Sequence, residues 1–262
     1  MIARWWWGAT IAAVIARGAG HVGSLAPSGE GAAIVVGALA VRAGWGWGAV
    51  LVLYFVLATG LTRAGRAEKA RRTAEILPAG GRRTARQVFA NGGLFALLLT
   101  LPETPAVRLA ALGALAAAAA DTWATEIGTR FGGTPRHLLT GIPLPPGLSG
   151  GVTVAGSIAA IIGALVTAAA APWLVPAAGR AGLVAVTTAG VLGAFLDSAL
   201  GATVQGRRRC PQCGLVGERA RHCDTFTEDA AGWRWMTNDL VNLGATAGGA
   251  ILAGGLALLR SI

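Results

Sequence analysis

The chain has 262 residues, 54% of them hydrophobic and only 13% charged, with 40 glycines, a net charge of +10 and a mean hydropathy of +0.59. Soluble domains carry about 25% charged residues, so roughly half the polar cover of a water-facing body is missing. Disorder is excluded by the apolar content, collagen by the lack of a Gly-X-Y period, and a disulfide scaffold by the count of three cysteines.

What remains is an all-α polytopic membrane protein. Residues 1–262 are expected to form a single transmembrane domain of about eight helices. The positive charge is then a matter of placement in loops, and nucleic acid is not an expected partner.

A helix crossing a ~30 Å hydrocarbon layer needs about 20 mostly apolar residues. The first such segment, 4–22, begins with Trp5, Trp6 and Trp7, an interfacial aromatic anchor. Arg17 and His21 interrupt its end and no clear cleavage signal follows, so it reads as a retained helix. LAPSGEG, with Glu30, leads into the short segment 30–43, and 46–62 comes next. The connection 63–86 carries Arg63, Arg66, Lys69, Arg71, Arg72, Arg82, Arg83 and Arg86. Within it GRRTARQVFANGG sets Arg82, Arg83 and Arg86 ahead of Asn91 at the start of the short segment 87–101. Arginine forks are well matched to phosphate oxygens.

Segment 105–124 runs into ADTWATEIG, where Asp121 and Glu126 flank its end. Asp121 and Thr125 share a helix face, as do Thr122 and Glu126. The 125–148 connection adds Arg130 and Arg136, and PLPPGLSGGVTVAG opens segment 149–173. There Ser149, Gly150 and Gly151 are expected to meet the helix N-terminus, whose bare N–H groups form an anion-binding end. In segment 181–204 Gly193, Asp197 and Gly201 fall on one stripe, beside Ser198, so a backbone or ligand can approach the Asp197 carboxylate.

The 205–236 connection holds CPQCGLVGERARHC. Cytoplasmic thiols stay reduced, and this spacing offers Cys210, Cys213, His222 and Cys223 as a structural zinc site, with Glu218 or Asp224 as a substitute ligand. Unpaired thiols without metal are the alternative. The last segment, 237–259, starts TNDLVNLG, with Asn238 and Asn242 four apart and Asp239 three before Asn242.

Sixteen of the 22 basic residues fall in the 63–86, 125–148 and 205–236 connections. By the positive-inside rule those loops face the cytoplasm and both termini face out, which makes the chain a cytoplasmic-membrane protein with lipid contacts. Asp121, Glu126, Asp197 and Asp239 then reach one level from three helices. An acid at membrane depth costs several kcal/mol unless it meets a partner, water or a cation. Carboxylates with amides and hydroxyls make a hard-oxygen environment suited to Mg²⁺ at Asp121, Asp197 and Asp239. Interhelical hydrogen bonding with arginine counter-ions is the other account.

The motifs GRRTARQVFANGG, ADTWATEIG, PPGLSGGV, DSALGAT, CPQCG…HC and GWRWMTNDLVN, in this order, resemble the integral-membrane family that contains the plant phytyl-phosphate kinase of tocopherol biosynthesis and an animal transmembrane relative. The resemblance spans residues 24 to 259 and is weakest over the first helix. It implies a kinase that adds a second phosphate to an isoprenyl monophosphate, with CTP as a reasonable donor.

The positions carried over are Asp121, Glu126, Asp197, Asn238, Asp239 and Asn242, together with the PPGLSGG turn and the Arg82–Asn91 segment; the match supplies positions and not roles. From their chemistry we take Asp121, Glu126, Asp197 and Asp239 as the catalytic set. Arg82, Arg83, Arg86, Asn91, Thr122, Ser149, Gly150, Gly151, Ser198, Asn238 and Asn242 are then the groups that hold nucleotide and lipid phosphate. The cysteine loop is then a feature that not all members share. A CTP-dependent membrane cytidylyltransferase and a cation-coupled transporter are the rival functions.

Overall fold

The computed structural model describes residues 2–77, 81–175 and 182–259. Eight long helices and one short one account for most of them. They are α1 (Ile2–His21), α2 (Pro27–Ala43), α3 (Trp45–Ala64), α4 (Arg66–Thr73), α5 (Ala85–Leu98), α6 (Pro105–Phe131), α7 (Val154–Leu174), α8 (Gly182–Thr203) and α9 (Asn238–Leu259). All eight segments expected from the sequence are helical. Five of them, in α3, α6, α7, α8 and α9, are long and apolar enough to cross a bilayer. The helix α2, at 17 residues, and α5, at 14, fall short of that length, and α1 carries Arg17 near its end.

The starts follow local chemistry. Pro27 and Pro105 occupy first-turn positions, where a missing N–H costs nothing. Thr104 and Thr153 cap α6 and α7 by accepting from the N–H groups of Val107 at 3.2 Å and Gly156 at 3.0 Å. Gln87 Oε1 accepts from the Thr84 N–H at 3.0 Å and closes the first turn of α5.

Helix α6 is the hub, packing against α3, α4, α5, α7, α8 and α9. Its run Ala114–Ala120 is almost wholly buried. A Cβ on Gly113 would meet Ala253 Cβ at 2.6 Å, and one on Gly193 would meet Ala117 Cβ at 2.5 Å, so small residues let backbones touch. The large apolar side chains point outward instead, among them Val154, Trp173, Ile251 and Leu259. Lipid tails are as apolar as leucine, so burying leucine gains little in a bilayer and close packing of small residues carries helix association.

The three basic connections meet at one end. Arg72 donates to the Thr129 carbonyl at 3.3 Å, Arg219 to the Ala74 carbonyl at 2.6 Å, and the Glu218 N–H to the Ile76 carbonyl at 2.9 Å. None of these connections is a plain loop, and the first carries α4. Strands β1 (Arg136–His137) and β2 (Gly151–Val152) pair antiparallel. The 205–236 segment builds a three-stranded sheet from β3 (Arg207–Arg209), β4 (Val216–Gly217) and β7 (Glu228–Ala231), in the order β4-β3-β7, with a β5 (Arg221–His222) and β6 (Thr225–Phe226) hairpin beside it. These strands are too short to show a period-2 pattern in the sequence.

Candidate functional site

Asp121 and Glu126 lie inside α6 and do not flank its end, because the helix continues to Phe131. Continuation past the apolar run is supported by one local hydrogen bond and by partners from other segments. Thr122 Oγ1 donates back to the Ala118 carbonyl at 2.8 Å. Glu126, 7% exposed, accepts from Lys69 Nζ at 2.8 Å and from Thr62 Oγ1 at 3.0 Å. Lys69, the chain's single lysine, reaches down from α4 and also bears electrostatically on Asp121.

Asp197 on α8 is within electrostatic reach of Asp121 and of Glu218. With its amide nitrogen turned toward the carboxylate, Asn242 donates to Asp197 Oδ2 at 2.8 Å and to the Asn238 carbonyl at 3.3 Å. Glu218, between β4 and β5, accepts from the Ser149 hydroxyl and from Gln205 Nε2 at 2.9 Å. Burial pushes its carboxyl above the usual value, against the Ser149 hydroxyl and the Arg207 guanidinium, which favour the charged form. Arg207 donates to the carbonyls of Ser149 and Gly201 at 2.9 Å each. Electrostatic influence thus links four carboxylates in the order Glu126, Asp121, Asp197 and Glu218, with Lys69 bearing on the first two and Arg207 on the last.

The Ser149–Gly151 turn does not form the N-terminus of α7. That helix starts at Val154 with Thr153 as its cap. Gly150 has φ +86°, and a Cβ there would meet the Ala202 Cα at 2.5 Å, so the turn is docked on the end of α8. Along the Gly193–Asp197–Gly201 stripe the close backbone approaches fall at the two glycines. The Ala245 carbonyl of α9 comes close at Gly193, and the Gly150 N at Gly201. Ser198 is half-buried on the same helix.

Asp239 and Asn238 open α9, where Asp239 feels the charge of Arg86 from the start of α5. Arg82 and Arg86 are exposed, while Arg83 is held by its backbone, which pairs with Ser24 and Ala26 at 2.9 Å each. Asn91 Nδ2 donates to the Gln87 carbonyl at 2.9 Å. Arg83, Gln87 and Asn91 are among the lining of a 90 Å³ groove between α1, α2, α3 and α5 that is mostly apolar. A second pocket, 180 Å³ and polar, lies between the sheet and the start of α9, against Arg207, Arg208, Glu218, Arg234 and Asn238. Glu30, from the LAPSGEG turn, pairs with Arg17 at 3.6 Å. Trp6 and Trp7 are exposed on α1, and the side chain of Trp5 lies outside the described residues.

Among the described residues, the His, Cys, Asp and Glu donors close enough to share one ion are Cys210, Cys213, His222 and Cys223. Burial pushes the Cys210 thiol up, but hydrogen bonds from the Cys213 backbone and from His222 outweigh it and bring it to about 6. The Cys213 sulfur beside it pushes Cys223 up to about 11. Glu218 is turned away toward Ser149 and Gln205, so it is not a ligand in this group.

The residues least anticipated are Lys69, Gln205 and Arg207. A lone lysine in an arginine-rich chain was the available signal for the first. Nothing local distinguishes the other two.

The family model "Integral membrane protein DUF92" matches residues 10–250. The chain is similar to Protein PGR of Arabidopsis thaliana, at 30% identity over 217 residues, covering 70% of this chain and 72% of that protein. It is similar as well to the uncharacterized membrane protein sll0875 of Synechocystis sp. (strain ATCC 27184 / PCC 6803 / Kazusa), at 30% identity over 241 residues, covering 88% of this chain and 82% of the other. No solved structure matches.

Proposed function

Because the chain belongs to the DUF92 family of integral membrane proteins, we propose from its site that it is a prenyl-phosphate kinase. It transfers the terminal phosphoryl group of a nucleoside triphosphate, CTP first among the candidates, to an isoprenyl monophosphate. A phosphate oxygen of the acceptor attacks the terminal phosphorus, the bond to the bridging oxygen breaks, and a nucleoside diphosphate leaves. The reaction faces the cytoplasm, in keeping with the basic loops at that end.

The observation that carries this is the charge balance of the linked carboxylates. Asp121 feels Glu126, Asp197 feels Asp121 and Glu218, and Lys69 and Arg207 are the cations that bear on this series of acids. Counted as carboxylates, the four leave a formal excess of two negative charges. A divalent ion is the simplest complement. Mg²⁺ is commonly held by one or two carboxylates together with substrate phosphates. Asp121 and Asp197 are the two neighbouring acids at the middle of the series, with Glu126 already paired to Lys69 and Glu218 already accepting from Ser149 and Gln205. When bound it would offset charge on the phosphate oxygens.

The chain's own groups do the rest by position. Arg207 and Arg208 in the polar pocket compensate the nucleotide phosphates, and Arg82, Arg83 and Arg86 the acceptor. Asn242 orients Asp197, and Asp239 sets the position of Arg86. The mostly apolar groove receives the prenyl chain with its phosphate at Arg83. Phosphoryl transfer asks chiefly for such positioning and charge compensation, and an acceptor that is already an anion needs no strong base.

The test is purified protein in detergent with Mg²⁺, a set of nucleoside triphosphates and prenyl monophosphates, followed by mass spectrometry of lipid and nucleotide products. Prenyl diphosphate with a nucleoside diphosphate is expected. Release of pyrophosphate with a CMP-linked lipid would assign a cytidylyltransferase instead. Asp121→Asn and Asp197→Asn should each abolish turnover in folded protein, and near-wild-type rates in both would overturn the reading.

A further inference from the structure

The 205–236 segment has almost no core of its own. Cys210 is its buried apolar side chain, while Phe226, Trp233 and Trp235 are 70%, 53% and 62% exposed. A module of short strands with so little burial needs another source of order. Yet it holds a defined place, since Arg207 grips the carbonyls of Ser149 and Gly201, and Glu218 meets Ser149 and Gln205.

The cysteines occupy the two turns that organise it. Cys210 and Cys213 bracket the turn after β3. There the Gly214 N–H donates to the Cys210 carbonyl and the Cys210 N–H to the Leu215 carbonyl, at 2.9 Å each. His222 ends β5, and Cys223 with Asp224 forms the two-residue turn to β6, where His222 pairs with Thr225.

Such a turn needs positive φ at both positions and normally uses Asn-Gly. Here Cys223 and Asp224 adopt φ of +49° and +57° without being glycine. Left-handed backbone at non-glycine residues persists where something in the surroundings demands it. What it achieves is to fold Cys223 Sγ back to 3.2 Å from His222 Nδ1, with Cys213 Sγ 3.4 Å from the same nitrogen. The four donor atoms lie within 4.8 Å of one another. The two sulfur–nitrogen separations are close to the ~3.5 Å edge of a tetrahedron with metal–sulfur bonds of about 2.3 Å and a metal–nitrogen bond of about 2.0 Å, and the remaining sulfurs need to draw in by about 1 Å at most.

We infer that Cys210, Cys213, His222 and Cys223 bind one zinc ion, which staples the β3–β4 turn to the β5–β6 hairpin and so holds Arg207 and Glu218 at the rim of the bundle. Three thiolates and an imidazole close the coordination shell, leaving no open position, so the ion is structural. The inference does not depend on the kinase reading.

Untagged full-length protein, purified in detergent under reducing conditions, is analysed for metal by mass spectrometry. One zinc per chain is expected in wild type and in Asp197→Asn, and almost none in the Cys213→Ser/Cys223→Ser double variant. Should the double variant not fold, wild type alone decides. Its cobalt-substituted form should show thiolate-to-metal charge transfer and tetrahedral d–d bands. Ejecting the zinc with a mercurial should open the chain to protease between residues 211 and 228 while the helices stay intact. Wild type without zinc, stoichiometric iron in its place, octahedral cobalt bands, unchanged protease resistance after ejection, or a double variant that keeps its zinc would each overturn the inference.

Discussion

Replacing Lys69 by methionine probes the best-buried ion pair at the rim. Lys69 Nζ lies 2.8 Å from Glu126 Oε1, and the two side chains are 24% and 8% exposed. At an effective dielectric of about 20, charges at that separation attract by about 6 kcal/mol, and desolvation offsets much of it. Removing the lysine alone leaves Glu126 with Thr62 as a neutral donor at 3.0 Å, while Oε2 is buried with no hydrogen-bond partner.

An uncompensated buried charge of this kind costs about 3–5 kcal/mol, so Lys69→Met should lose that much stability. Adding Glu126→Gln removes the stranded charge and should restore most of it, for a coupling of about 3 kcal/mol, the upper end of what pairs in contact show. The assay is unfolding of full-length protein in mixed micelles by SDS titration, followed by circular dichroism on wild type, both single variants and the double. A Lys69→Met change within about 0.5 kcal/mol of wild type, the range of an ordinary surface substitution, would refute the claim that this pair ties α4 to α6. Strict additivity of the two changes would do the same.

Gly150→Ala places a Cβ at φ +86° and 2.5 Å from the Ala202 Cα, so it should destabilise by about 2 kcal/mol or more, visible as a lower melting temperature. Gly133→Ala, with φ +68° but open space around it, should cost only the backbone strain of about 1 kcal/mol and serves as the control. Burial holds the Glu218 carboxyl above its unfolded value of 4.5, so the native state binds the extra proton. Stability should therefore fall as pH rises from 4.5 through the raised folded value, and Glu218→Gln should flatten that slope in thermal melts taken across pH. If the 90 Å³ groove seats the prenyl chain, affinity should rise with chain length by up to about 0.8 kcal/mol per buried methylene until the groove is full. Val36→Trp should then lower the preferred length, read as a shift in KM across a prenyl series with kcat retained.

The membrane class, the eight helical segments and the shared level of the basic loops were legible in the sequence, because each rests on local quantities. Apolar run length decides whether a segment can be helical in lipid, and the count of arginines in 63–86, 125–148 and 205–236 places those loops at one end. Convergence of Asp121 with Asp197 could be anticipated from an acid recurring near the basic end of separate helices. The cysteine group was readable because CxxC and His-Cys carry their own spacing.

The partners of those groups were not readable. Whether Glu126 is stranded or paired depends on Lys69, 57 positions away. Whether Ser149 caps a helix or binds Glu218 depends on a contact across 69 positions, and the turn's docking on Ala202 settles it against the cap. Local pattern governs a residue's own backbone and its preference for lipid or water. Which charge stands opposite a carboxylate follows from how the helices and loops pack in three dimensions, and that packing alone set the order from Glu126 to Glu218 and the two cations that bear on it.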